Sequence, residues 1–127
     1  MTARNTRIRD LTDAVRVRAD GDVDEESLAY VREKVATALG RPGLGPVNGE
    51  VRVLRASAPH VELPWWAGAD LQVGEDLVVV HVREATVREL ADRLHDRLRG
   101  RVERVAHRAE DARRTSAPPP WRGGPGN

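Results

Sequence analysis

Apolar positions along the chain fall into two rhythms. Residues 14–19 alternate Val15, Val17 and Ala19 against Arg16 and Arg18, the period of a half-buried strand. Residues 24–39 change to helical spacing, with Leu28, Val31, Val35, Ala38 and Leu39 on one side. Asp24 is placed to cap that helix, Glu25 and Glu26 sit at its positive end, and Gly40 can close it. Residues 41–49 hold two prolines and three glycines and read as a loop. A second strand is expected over 50–56, with Val51 and Val53 on one face, and a third over 65–73. In the third, Trp65, Ala67, Ala69, Leu71 and Val73 share one parity, and Trp66, Gly68, Asp70 and Gln72 the other. A turn at 74–76 leads into an apolar run over 77–82, typical of a covered strand. Thr86-Val87-Arg88-Glu89 has the capping-box form and opens a long helix to about residue 113.

The predicted order is β-α-β-β-β-α, an α+β fold. The middle strands form an antiparallel meander, the first helix crosses over between strands one and two, and both helices pack on one face of a four-stranded sheet. With 127 residues there is room for one ordinary domain. We expect it over 13–114, between a polar arm (1–12) and a Pro/Gly-rich tail (115–127) that are both disordered. Trp121 lies in that tail.

Composition removes several functions. Without cysteine there are no disulfides, thiolate metal sites or cysteine nucleophiles, which fits a reducing cytoplasmic setting. No apolar run approaches a membrane span, and the N-terminus lacks the apolar stretch of a secretory signal. His60, His81, His95 and His107 show no paired metal spacing, so no metal is expected. Ser27, Ser57 and Ser116 form no hydroxyl–histidine–carboxylate arrangement, and no Gly-rich phosphate loop joins a strand to a helix. We therefore expect neither an enzyme nor a cofactor.

Net charge is only +1, yet its distribution is uneven. Residues 1–18 carry +3, residues 19–87 carry −6 and residues 88–127 carry +4. Lys34 is the sole lysine. On a helical wheel centred on Leu94, the last helix separates into three sectors. Val87, Leu90, Ala91, Leu94, Leu98, Val102, Val105 and Ala109 form the core face. Glu89, Asp92, Asp96, Glu103 and Glu110 lie on the back, and Arg93, Arg97, Arg101, Arg104 and Arg108 line one flank of the apolar face.

Residues three and four apart touch on a helix, and none of the such neighbours of Arg97, Arg101 or Arg104 is acidic. Four consecutive like-charge pairs cost roughly 1–2 kcal/mol unless an anion answers them. Solvent, or acids from elsewhere in the fold, could supply that answer; a phosphate backbone suits a rod of guanidinium groups better than a small ligand does. Arg16, Arg18 and Arg52 project from strands toward the open sheet face. Trp66 also points outward, as a shield over the sheet edge or as a platform for a base.

Certain runs resemble the N-terminal ribosome-binding domain of the ribosome hibernation-promoting factor / protein Y family. The likeness spans about residues 15–114. It is carried by Val23-Asp24-Glu25-Glu26-Ser27-Leu28-Ala29-Tyr30-Val31-Arg32-Glu33-Lys34-Val35, by Ala69-Asp70-Leu71-Gln72-Val73-Gly74, and by Arg88-Glu89-Leu90-Ala91-Asp92-Arg93-Leu94-His95-Asp96-Arg97-Leu98. Glu110-Asp111-Ala112-Arg113-Arg114 resembles the helix exit of actinobacterial-type members. The resemblance implies a fold related in shape to double-stranded-RNA-binding domains. It also implies binding to 16S rRNA in the decoding region of the small ribosomal subunit, which silences translation under stress. By charge and place it implies RNA contact by Arg93, Arg97, Arg101, Arg104 and Arg108, and by Arg32 and Lys34 of the first helix; Arg16 and Arg18 join them as candidates from the first strand. The chain departs from the family at Thr86-Val87-Arg88, where an Asp-Met-Tyr opening is common, and at Gly100 within the helix. The dimerisation domain of long family members is expected to be absent. The alternative is a protein adaptor whose basic helix grips an acidic partner or a second copy.

Overall fold

The structure, a computed structural model, describes residues 14–116. Six elements follow in the predicted order: β1 (Val15–Gly21), α1 (Glu25–Leu39), β2 (Val47–Arg55), β3 (Trp65–Val73), β4 (Asp76–Glu84) and α2 (Val87–Ser116). The strands lie side by side as β1-β2-β3-β4. The α1 crossover makes β1 and β2 parallel, whereas short connections make β2, β3 and β4 an antiparallel meander. Both helices cover the same face, α1 against β1 and α2 against β3 and β4, and they pack on each other.

The core follows from the alternation. Val51, Val53, Ala67, Ala69, Leu71, Val78 and Val80 point from the sheet into a layer filled by Val31, Val35 and Ala38 of α1 and Leu90, Leu94, Leu98 and Val102 of α2. Trp65 is buried among them, as expected. Among the described residues no polar side chain is buried.

Caps lock the helices where the sequence signalled them. Asp24 Oδ1 accepts from Ser27 N–H at 2.9 Å. Thr86 Oγ1 accepts from Glu89 N–H at 3.1 Å, and its hydroxyl donates to the Glu89 carboxylate. Each such cap contributes about 1 kcal/mol.

Some boundaries move. The second strand begins at Val47 rather than residue 50, because Gly49 is a paired strand residue lying between Val15 and Leu71. The last strand runs on to Glu84, which places Arg83 on the open face beside Leu77, Val79 and His81. On α2, packing against α1 widens the apolar face on that side and buries Ala106, while Val87 and Ala109 are only half-buried. That helix continues past residue 113 to Ser116. The arm predicted over 1–12 and the tail from residue 117, with Trp121, lie outside the described residues.

Candidate nucleic-acid interface

After β4 the chain turns at Ala85 and Thr86 and α2 runs back along the strand. The five arginines of the predicted flank thereby come to lie along the free edge of β4. Arg93 bonds to Glu84 at one end of the strand. Arg101 Nη1 donates to the Val79 carbonyl oxygen at 3.1 Å near its middle. Arg108 meets Asp76 at 3.2 Å at the other end. The helical rise from Arg93 to Arg108 is about 22 Å, close to the length of the strand beside it.

The expected row of guanidinium groups without acidic partners is therefore corrected at both ends, where carboxylates of β4 neutralise Arg93 and Arg108. Those acids were hidden from helix-spacing arguments because they belong to another element. Arg97 and Arg104 are exposed and, among the described residues, have no ion pair. They sit about 10 Å apart along the axis with Arg101 between them. Arg97 also borders a shallow hollow of about 460 Å³ shared with Glu84, Glu89, Asp92 and Asp96, so the field is more positive toward Arg104. Arg101 covers a carbonyl of an edge strand, a backbone group that would otherwise invite another strand.

Three acids on the back of α2 turn instead toward the first helix and the loop that follows it. Asp92 Oδ1 takes Lys34 Nζ at 3.2 Å and the Tyr30 hydroxyl at 3.2 Å. Glu103 and Glu110 take Arg41 at 3.2 and 3.5 Å. Arg88 and Lys34 lie over the Tyr30 ring, at 5.3 and 5.6 Å from its centre. Lys34, a candidate on the first helix, is thus engaged between the two helices. Arg32 falls on the other flank of α1, away from Tyr30 and α2.

Arg16 and Arg18 stand on the open face of β1, three strand spacings or about 14 Å from β4. Arg18 is held by Glu50 at 2.7 Å, and Arg52 by Asp20 at 2.7 Å. The nine candidate residues thus divide: five along the β4 edge, Lys34 in the helix junction, Arg32 on the far flank of α1, and Arg16 and Arg18 at the opposite sheet edge. The sequence reading missed Arg83, exposed on β4 and without an ion pair among the described residues. Extending the strand's alternation by one residue would have found it.

Titration follows the same pairs. The hydrogen-bonded Lys34 ammonium holds the Asp92 carboxyl below its ordinary 3.8, and Asp92 in turn raises Lys34 above 10.5. Because the Asp92 value is depressed on folding, its contribution is complete above 3.8 and disappears as pH falls through the folded-state value. The Lys34 contribution is complete below 10.5 and disappears as pH rises through its raised value. Asp92→Asn is therefore expected to melt below the wild type at neutral pH, with the gap closing below pH 3.8 in thermal melts run across the acid range. A gap independent of pH would show that the carboxylate charge is irrelevant at this junction.

Among the described residues no group of three or more His, Asp or Glu side chains is arranged to hold a metal ion. Nor is any of their helices long and apolar enough to cross a membrane. The fold is a four-stranded mixed sheet with two helices on one face and arginines along one edge. A solved structure with this fold is the Thermus thermophilus Protein Y N-terminal domain: TM-score 0.54, 21% sequence identity, covering 71% of this chain and 94% of that one. No protein-family model matches the sequence, and no curated protein does.

Proposed function

We propose that this chain is a ribosome-binding module of the hibernation type, which silences translation by lying in the decoding region of the small subunit. The observation that carries this reading is the stripe on α2, whose inner arginines form no ion pair among the described residues although acids are plentiful on the same helix. Arg97, Arg101 and Arg104 would neutralise rRNA phosphates, while the sheet edge and helix ends set orientation by shape, as in RNA recognition generally. The likeness to a Protein Y domain over nearly its whole length supports the same reading. In this role the chain acts without catalysis or cofactor, in the cytoplasm where its partner resides.

Sedimentation of tagged protein with purified small subunits, at low and at raised salt, tests the proposal. Association is expected at low salt and should weaken steeply as salt rises. Failure to sediment under either condition would refute it. Capture of a partner that survives RNase and depends little on salt would favour a protein adaptor.

A further inference from the structure

Beyond the edge, the open sheet face carries a feature that the stripe does not explain. Trp66 of β3 was expected to shield a sheet edge, but β3 is an inner strand and the indole reaches over Gly68 of that same strand. Gly68 makes room: a Cβ there would come within 2.5 Å of the indole ring. The ring also meets His81, with centroids 5.6 Å apart and planes tilted by 45°. Beside the indole, Leu54 and Pro64 complete an apolar hollow of about 320 Å³, rimmed by Arg52, Arg55 and Arg83. No carboxylate lines it. Arg52 is held by Asp20, and Arg55 lies over the Trp65 ring, which leaves Arg83 as the rim cation with neither an ion pair nor an aromatic partner among the described residues. A flat apolar surface with a ready guanidinium beside it complements an aromatic ring joined to a phosphate.

We propose that this hollow is a subsite for one unpaired nucleotide of RNA, the base stacking against Trp66 and the adjoining phosphate bound by Arg83. The choice of RNA rests on the proposed function; the hollow itself does not. Arg83 precedes Glu84, the residue that holds Arg93 at the start of the stripe, so one strand could pass from the helix flank around β4 to the open face. Aromatic platforms of this kind accept any base, because every base has a π-face. The subsite therefore adds affinity without adding sequence preference.

Titration of fluorescein-labelled octauridylate, and of an abasic oligomer of equal length, tests the proposal on the intact chain. Trp66→Leu is expected to weaken octauridylate binding about tenfold with an unchanged salt slope, while Trp66→Phe retains most of the affinity. Arg83→Gln should flatten the log–log salt slope by about 0.7, the share of one single-strand phosphate. The abasic oligomer should not distinguish Trp66→Leu from the wild type. Equal octauridylate binding by Trp66→Leu and wild type would overturn the subsite, as would loss in the Phe and Leu variants alike. Displacement of octauridylate from the wild type by polyglutamate as readily as by polyuridylate would overturn it in favour of an acidic protein. The two proposals fail separately: a subsite lost while small subunits still sediment leaves the function standing. Trp66-dependent RNA binding without subunit association leaves only the subsite.

Discussion

Replacing Arg97, Arg101 and Arg104 together by glutamate is expected to abolish sedimentation with small ribosomal subunits while leaving the fold intact. All three side chains lie outside the core, and Arg97 and Arg104 give up no ion pair when replaced. Only the Arg101 bond to the Val79 carbonyl is lost, a single contact at the surface. Stability should change little, because the pairs 93/97 and 104/108 become attractive while 97/101 and 101/104 stay like-charged, now negative. Binding is another matter. Neutralising the three to glutamine should flatten the dependence of log affinity on log salt by about 2 to 3, at 0.7–0.9 per phosphate contact. Reversal to glutamate adds repulsion to that loss. Single substitutions should rank by how free each cation is, with Arg104→Gln and Arg97→Gln costing more than Arg93→Gln or Arg108→Gln. Binding by the triple glutamate variant at wild-type strength would remove the stripe from the interface. Equal losses at all five positions would mean that the acids of β4 let go of Arg93 and Arg108 on binding.

Gly49→Ala is expected to be the most damaging single change in the sheet, costing about 3–5 kcal/mol and lowering the melting temperature by well over ten degrees. Gly49 lies in β2 at φ +138°, a conformation that side chains with a Cβ rarely adopt. A Cβ built there would lie 2.3 Å from the Asp70 carbonyl oxygen and 2.8 Å from the Leu71 Cα. Both are backbone atoms of the neighbouring strand, so they cannot rotate away as a side chain would. Strain and clash therefore add, and they act where β2 is paired on both sides. Thermal and urea unfolding of the alanine variant check this. A loss below about 1 kcal/mol would mean that the strand shifts to accept the methyl group.

Much of the architecture was legible in the local pattern, for a physical reason. Alternation at period two and recurrence near 3.6 record which side of each element meets the core, and here nearly every inward position is Val, Leu or Ala. Caps at Asp24 and Thr86 mark where the backbone needs a side-chain acceptor, a requirement met within three residues. The grouping of five arginines on one flank of α2 was likewise determined by their spacing on a single helix.

What spacing on one element cannot contain is the identity of the neighbour. Glu84 and Asp76 reach the stripe only because α2 doubles back along β4, and Lys34 is claimed by Asp92 only because the helices lie side by side. The strand character of Gly49 was invisible because a Gly-rich segment reads as a loop until β1 and β3 pair with it. Trp66 acquires its seat from a missing side chain two residues away and from a histidine on the next strand. The sequence alone decided the elements, their order and which face each would bury, since these are set by local periodicity. The tertiary structure decided which charges remain free to meet an anion, because neutralisation acts through space between groups far apart along the chain.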